Sequence, residues 1–350
     1  MHKSKVITAA LAALALASVF SCKKDNGETT LPSLSGTLKF KKVPSFVNPQ
    51  DEITLTLNGV THPDGGKIGY SITIVEGYKT TKDTLDEGVM SLKYVFSNRK
   101  YFKEDTLRTV SVSASAFADG YYSSSTGTQS ITIVKGGMTE GSINWTTPPR
   151  FDESFGYEGI KYYAKKNGDA TWLMRNVASK NKGLPYQSAP AMLDVFGSYL
   201  NWEDAKTACP TGYRLTTDED WVNLGKSLGV TDAKVHETIA GIAPQLMIDA
   251  TFNYDQTTLW TYWKGMDISN KSGLSVLPTG WANLATGQFS GVKEYAVFWT
   301  ADTYEVKDKE GNIIDDTQAY CRVIYERSQD VSIELHDKES FGASVRCVKE

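Results

Sequence analysis

The stretch 201–229 limits the fold of this chain most strongly, because it contains the start and end signals of two helices. Asn201 is a favourable N-cap, and two acids follow it in the first turn, where the helix dipole favours carboxylates. Pro210 ends this short helix directly after Cys209. The apolar spacing predicts that Cys209 lies on the buried face of the helix.

A second helix is predicted to begin shortly after this proline. Thr216 and Glu219, three residues apart, have the spacing of a capping box, in which the two residues satisfy each other's backbone N–H groups. Gly229 is a suitable C-terminal end. The predicted inner face of the second helix consists of apolar residues at helical spacing, namely Trp221, Leu224 and Leu228.

Five motifs in a fixed order resemble a known family. They are WEDAKTACPTGYRLTTDEDWVNL, LPTGWAN, QFSG, YAVFWTAD and FGASVRCVKE. In this order they resemble the Fibrobacter succinogenes major paralogous domain, over residues 157–349. The resemblance implies an α+β fold like that of C-type lectins, with two helices flanking small antiparallel sheets. It also implies that the chain ends meet and that a long irregular loop region carries any ligand site.

The lectin-like resemblance also implies a disulfide bond between Cys209 and Cys347, where such a fold joins its first helix to its last strand. An exported chain meets an oxidising compartment, in which this bond would form. Cys321 is then left over, and a lone cysteine in an alternating strand usually fills a core. Formylglycine-generating enzymes share the wider fold and use active-site cysteines, so catalysis by Cys321 is a third and least favoured hypothesis.

Residues 1–22 have the parts of an export signal. Two lysines precede an Ala/Leu-rich run that is too short for a comfortable membrane span. Cys22 directly follows a small residue, as in a bacterial lipobox, which predicts that Cys22 is lipidated and becomes the mature N-terminus. The alternative is ordinary cleavage after Ala17, which would leave Cys22 as an unmodified thiol. The polar stretch 23–34 suits a flexible tether and favours lipidation.

Residues 35–137 alternate between apolar and polar side chains with the period of β-strands. This pattern resembles a bacterial immunoglobulin-like sandwich, which we expect to act as a spacer. Gly136–Gly137 marks its end, because all eight tryptophans of the chain lie at or beyond Trp145. Residues 138–156 are predicted to be a linker, and residues 157–350 a second domain with its own core.

In the second domain, residues 160–163 and 171–174 predict an opening hairpin. Thr231 and Asp232 predict the start of a third helical stretch that reaches towards Ala243 and ends at Pro244. The closing antiparallel strands are predicted from apolar and β-branched runs, with a charged hairpin tip at 307–316. These runs are 296–300, 319–325, 331–335 and 344–348.

Charge and motif content exclude several functions. Lys and Arg total 37 against 41 Asp and Glu, and removal of the leader with Lys3 and Lys5 gives 35 minus 41, or −6, so nucleic acid is not an expected partner. Calcium prefers six to eight hard oxygen ligands. Neither a Glu-Pro-Asn type loop nor a Trp-Asn-Asp strand motif supplies them here, so we expect no calcium or other cofactor.

Aromatic residues are dense between positions 249 and 295, and they provide the best candidates for ligand contact. Flat side chains can stack on sugar rings or anchor a protein partner. The competing interpretation is that these rings form the core of an irregular region. The candidate ligand-binding residues are Trp260, Tyr262, Trp263, Trp281, Asn283 and Tyr295.

Taken together, the sequence predicts a non-enzymatic lipoprotein of a bacterial outer membrane, held there by lipid on Cys22. Exposure at the cell surface is the favoured orientation, and a periplasmic orientation stays open. We expect the second domain to bind a glycan or an extracellular protein without calcium. The alternative is a structural subunit of a surface or fimbria-like assembly.

Overall fold

The computed structural model describes residues 30–97, 109–137, 141–252, 257–261, 263 and 265–350. The predicted export signal, Cys22 and Tyr262 lie outside these residues. The described chain is mostly β-structure in several sheets, none of which closes on itself. In the described ranges, no helix has both the length and the apolar character needed to cross a membrane.

The N-terminal unit, residues 30–133, contains two sheets around one hydrophobic core. One sheet has the strand order β1-β3-β6, and the other has the order β2-β9-β7-β4-β5 with β8 beside β7. Every second side chain of β7 from Val110 to Ala116 is buried, as the alternation in the sequence predicts. The strands are β1 (Lys39–Phe40), β2 (Phe46–Val47), β3 (Glu52–Asn58), β4 (Gly69–Glu76), β5 (Lys79–Thr84), β6 (Ser91–Val95), β7 (Thr109–Phe117), β8 (Ser124–Ser125) and β9 (Gln129–Ile133).

The C-terminal unit, from residue 141 onward, has two 13-residue strands, many short elements and two cores. Its helices are α1 (Leu193–Phe196), α2 (Trp202–Lys206), α3 (Asp218–Ser227) and α4 (Ala243–Leu246). Its strands are β10 (Ile143–Trp145), β11 (Glu153–Tyr157), β12 (Ile160–Asn167), β13 (Ala170–Leu173), β14 (Leu184–Pro185), β15 (Ser198–Tyr199), β16 (Tyr213–Leu215), β17 (Ala250–Phe252), β18 (Trp281–Asn283), β19 (Gln288–Ser290), β20 (Tyr295–Lys307), β21 (Ile313–Tyr325), β22 (Val331–Asp337), β23 (Phe341–Gly342) and β24 (Cys347–Lys349).

Both central helices begin within one residue of the predicted positions, but α2 ends at Lys206, so Cys209 lies outside the helix and is partly buried. The side chain of Asn201 caps α2 by accepting a 2.7 Å hydrogen bond from the backbone N–H of Asp204. The capping box of α3 is formed by Thr217 and Asp220, so the predicted pair was one residue too early. Thr216 is buried instead, and its hydroxyl accepts a hydrogen bond from the indole of Trp221 at 3.1 Å.

The predicted third helix before Pro244 is wrong. His236 has φ 60°, a left-handed conformation that interrupts a right-handed helix. Ile239 instead forms an antiparallel bridge with Val331, which ties this segment to β22. Pro244 lies in the first turn of the short helix α4, where a missing backbone N–H costs nothing, and so it does not end a helix there.

A five-stranded sheet brings the two ends of the C-terminal unit together. Its strand order is β11-β12-β13-β24-β16, so that the last strand of the chain lies between two early ones. Cys347 at the start of β24 forms a disulfide bond with Cys209, with an S–S distance of 2.08 Å and a Cα–Cα distance of 6.0 Å. The structure therefore contains the pairing that the resemblance implies, and Cys321 is free and buried.

A three-stranded antiparallel sheet, β20-β21-β22, separates the two cores of the C-terminal unit. Phe298 and Ile324 point into one core, whereas their neighbours Val297 and Val323 point into the other. Successive side chains of a strand point to opposite faces, so the part of this sheet around these residues is buried on both sides. The second of these faces, with Val297 and Val323, carries the candidate site described below.

A buried ion pair fixes α3 to this sheet. Arg322 donates from Nε and Nη2 to the two carboxylate oxygens of Asp218 at 2.5 and 2.8 Å, and neither side chain is exposed. A third hydrogen bond runs from Arg322 Nη1 to the carbonyl oxygen of Glu237 at 2.7 Å. Sequence reasoning explained Asp218 as a helix N-terminal acid, and it missed this partner because Arg322 lies far along the chain.

Candidate ligand cleft

A cleft with a volume of about 310 Å³ lies between one face of the β20-β21-β22 sheet and the small β19-β18-β23 sheet. This volume is at the lower end of the range of roughly 300–1,000 Å³ that is usual for small-molecule sites. The lining is aromatic and aliphatic, with one carboxylate. It consists of Trp281, Tyr295, Val297, Val323, Tyr325, Glu334, His336 and Phe341.

Strand pairing explains why residues so far apart in sequence share this cleft. Tyr295 lies opposite Tyr325, and Val297 lies opposite Val323, in the antiparallel register of β20 and β21. Glu334 of β22 lies opposite Cys321, two residues before Val323. Because the side-chain period of a strand is two, these residues and His336 point to one face of the sheet.

Trp281 and Phe341 provide the opposite wall. Their strands are hydrogen-bonded neighbours, because β18 pairs with β23. The two rings are stacked, with centroids 5.1 Å apart and an angle of 23° between their planes. The indole N–H of Trp281 donates to the hydroxyl of Tyr295 at 3.1 Å, which joins this wall to β20.

The ring of His336 extends the aromatic wall towards Glu334. It stacks on Phe341 with centroids 3.8 Å apart and nearly parallel planes. Its Nε2 lies 3.1 Å from one carboxylate oxygen of Glu334, and the hydroxyl of Tyr325 donates to the other. The carboxylate is therefore held in position by a histidine on its own strand and a tyrosine on the next strand.

These partners also decide the charge of Glu334. The hydrogen bond with His336 lowers the pKa of Glu334, partial burial opposes this effect, and the bond from Tyr325 lowers the pKa further. Burial and the same hydrogen bond raise the pKa of Tyr325 above its ordinary value, so the tyrosine keeps its proton and donates. Among the described lining residues there is no lysine or arginine, so the carboxylate has no guanidinium or ammonium partner in the cleft.

The structure brings together only part of the predicted site. Trp281 and Tyr295 meet in the cleft, and both are partly buried. Asn283 lies on the same strand as Trp281 but does not line the cleft, and its side-chain oxygen accepts from the backbone N–H of Thr286 at 3.0 Å in a turn. Trp263 is 45% exposed elsewhere, with the guanidinium of Arg327 4.7 Å above its ring.

The side chain of Trp260 is not at the surface and so cannot contact a ligand there. The side chain is only 2% exposed, and its indole N–H donates to the carbonyl oxygen of Val276 at 2.8 Å within the core. The competing interpretation, that rings in this irregular region form a core, is therefore correct for Trp260. Tyr262, the remaining aromatic candidate, lies outside the described residues.

Sequence reasoning missed four polar or aromatic residues of the cleft, namely Tyr325, Glu334, His336 and Phe341. The alternation in 331–337 was a usable signal, because it places Glu334 and His336 on one face of a strand. The candidate residues were predicted from aromatic density at 249–295 alone, although the strands that complete the cleft are later in the chain.

Cys321 lies beneath the same face of the sheet, but its thiol is fully buried. Burial raises the pKa of Cys321 well above its ordinary value, and the nearby carboxylate of Glu334 raises it further. Reactive cysteines have lowered pKa values and some exposure, so this environment favours the unreactive thiol. The described part of the chain contains no group of three His, Cys, Asp or Glu side chains arranged to hold a metal ion.

A comparison with family models finds the Fibrobacter succinogenes major domain over residues 157–349. No curated protein and no solved structure matches the chain. The matched residues contain both cysteines of the disulfide bond, helices α2 and α3, and every residue that lines the cleft. Because the match covers more than half of the chain, this protein belongs to the Fibrobacter succinogenes major domain family.

Proposed function

We propose that this protein is a non-enzymatic binding lipoprotein whose C-terminal unit recognises a glycan outside the cell. The observation that carries the proposal is the cleft in which stacked rings face a positioned carboxylate. In the proposed arrangement, lipid on Cys22 holds the protein in the outer membrane and residues 23–34 act as a tether. The N-terminal unit then spaces the cleft from the membrane surface.

The chemistry of the cleft suits a sugar ring. One face of a pyranose is largely apolar and packs on aromatic rings, while its hydroxyl groups need hydrogen-bond acceptors. An ionised carboxylate has about four lone-pair sites, of which Tyr325 and His336 occupy one on each oxygen of Glu334. Glu334 therefore keeps acceptor capacity for a ligand, and its side chain is 33% exposed.

Two further features support finer assignments of fold within this proposal. The two sheets around one core in the N-terminal unit are consistent with an immunoglobulin-like sandwich. In the C-terminal unit, the two capped helices, the disulfide bond and the meeting of early and late strands are consistent with a C-type lectin-like fold.

The proposal is tested with residues 23–350, produced in soluble form without the leader and screened against a glycan array. We expect saturable binding of a defined glycan group that survives chelation of calcium. Trp281→Ala should weaken binding at least several-fold, because it removes a wall of the cleft. Trp263→Ala is the matched control, because it removes an exposed tryptophan outside the cleft.

Absence of binding to every glycan on the array would overturn the proposal. Assembly of the soluble protein into ordered polymers, together with that absence, would favour the alternative of a structural subunit in a surface assembly. Binding that chelation abolishes would retain a glycan ligand but reject the calcium-independent mechanism.

A further inference from the structure

We infer that the cleft selects sugars with a free, positively charged amino group over their N-acetylated and acidic counterparts. This inference deepens the proposed function and rests on it. It follows from the arrangement of Trp281, Tyr295, Tyr325 and Phe341 around the carboxylate of Glu334.

The rings provide the first attraction for a cation. The face of an aromatic ring is electron-rich, and an ammonium group within about 6 Å of its centroid is attracted to it. Trp281, Tyr295 and Tyr325 border one space, and the centroids of the two tyrosine rings lie 5.5 Å apart. Phe341 supports this group, since its ring stacks on Trp281 and on His336. Rings grouped in this way around a carboxylate form a typical environment for an organic cation.

Glu334 provides the second attraction and gives it a direction. Its hydrogen bonds with His336 and Tyr325 favour the ionised form, and an ammonium group can donate to the lone pairs that these partners leave open. Val297 and Val323 are almost fully buried and give the cleft an apolar part. A charged hydrogen bond is stronger in such surroundings than in open solvent.

The same carboxylate disfavours two other ligand classes. A uronic or sialic acid would bring a second negative charge towards Glu334. No lysine or arginine is among the described lining residues to offset it, and the basic side chain there, His336, already pairs with Glu334. An N-acetylated sugar keeps the ring but loses the positive charge. Amino, N-acetylated and acidic sugars therefore differ mainly in how their charge interacts with Glu334. A matched pair of an amino sugar and its N-acetylated form isolates this interaction.

The test uses the soluble chain of residues 23–350 with two trisaccharides, one of glucosamine and one of N-acetylglucosamine, in isothermal titration calorimetry. We expect the glucosamine ligand to bind roughly tenfold tighter, which is the scale of a desolvated cation–π contact with a charged hydrogen bond. The preference should decrease at high salt, because part of it is electrostatic.

Glu334→Gln should reduce the ratio of the two affinities to about one, because the amide keeps the shape of the side chain but removes its charge. Glu310→Gln is the control, because it removes the same charge at an exposed turn outside the cleft and should keep the ratio. The ratio in the unsubstituted protein tests the inference even where Glu334→Gln does not fold.

Each outcome separates this inference from the proposed function. Equal affinity for the two trisaccharides, or a preference for the acetylated one, would overturn the cationic selectivity and leave glycan binding in place. Binding of neither trisaccharide, with the array showing acidic or neutral glycans bound, would do the same. Binding of no glycan at all would overturn both.

Discussion

The N-terminal and C-terminal units of this chain reach stability by different routes. In the N-terminal unit, strands such as β7 alternate between buried apolar and half-buried polar side chains, and one core of apolar residues results. In the C-terminal unit, short elements and loops surround two cores, and a disulfide bond and buried charged groups connect distant parts of the chain. Alternation accounts for most of the first core, although Glu76 is buried there and accepts hydrogen bonds from Tyr94 and Ser97. The second unit depends more on pairs of residues that are distant in sequence.

Arg346 illustrates this dependence, because it is fully buried without a carboxylate partner among the described residues. It donates to the side-chain oxygen of Asn176 at 2.9 Å and to the carbonyl oxygens of Leu173 and Leu274 at 3.0 and 2.8 Å. Burial lowers the pKa of Arg346 to about 9. From its position directly before β24, this one side chain thus contacts the end of β13, the residues that follow it and the loop before β18.

The largest loss of stability should come from removal of the disulfide bond with Cys209→Ser and Cys347→Ser. The bond closes a loop with a sequence separation of 138, so the chain-entropy model gives up to about 5 kcal/mol, and strain or residual unfolded structure reduces this value. Calorimetry should show a large fall in the melting temperature of the C-terminal unit and an unchanged N-terminal transition.

The matched control for this experiment is Ile72→Ala, which truncates a fully buried side chain of the N-terminal core. It should lower the free energy of unfolding of the N-terminal unit by about 2–5 kcal/mol. Only the melting temperature of that unit should therefore fall. Equal lowering of both transitions by either change would show that the two units unfold as one.

A slightly smaller effect is expected from Arg322→Leu, which leaves Asp218 buried without its counter-charge. Breaking a buried pair in this way typically costs about 3–5 kcal/mol. The double change with Asp218→Leu should recover most of the loss, because no unpaired charge stays in the core. Chemical denaturation of the two single variants and the double variant measures this coupling, and additive losses would argue against a strong pair.

The smallest expected effect is on the stability of the C-terminal unit at acidic pH. Glu334 has a folded pKa below its ordinary value of 4.5, so its contribution to stability is fully present above that pH and is lost as the pH falls through the lower folded value. Glu334→Gln should therefore make the C-terminal transition less sensitive to acid below about pH 4.5, whereas Glu310→Gln should not. Identical acid profiles for all three proteins would place the acid sensitivity elsewhere.

The features that the sequence predicts correctly are mostly local. Strand β7 follows from its period of two, and the caps of α2 and α3 follow from short-range chemistry, with an error of one residue for Thr217. The disulfide bond was accessible only through the family resemblance, because spacing alone does not pair Cys209 with Cys347. The predicted third helix failed because the bridge between Ile239 and Val331 is a long-range contact.

The candidate site was predictable only in part for the same reason. Trp281 and Tyr295 are close in sequence and were found by their aromatic density. Glu334 becomes a site residue only through the register of β21 and β22 and through its partners Tyr325 and His336. Aromatic density alone also cannot distinguish a ring on a cleft wall from one in a core, as the burial of Trp260 shows.

The position of the disulfide bond has a mechanical consequence for the tethered binding protein that we propose. All residues that line the cleft lie between Cys209 and Cys347 in sequence. A ligand that pulls on the cleft against an N-terminal anchor therefore loads a covalently closed loop. The pulling force passes through the sulfur–sulfur bond as well as through the backbone before Cys209. If the proposed lipid anchor and cleft ligand are correct, the disulfide bond limits the length of chain that a pull between them can draw out.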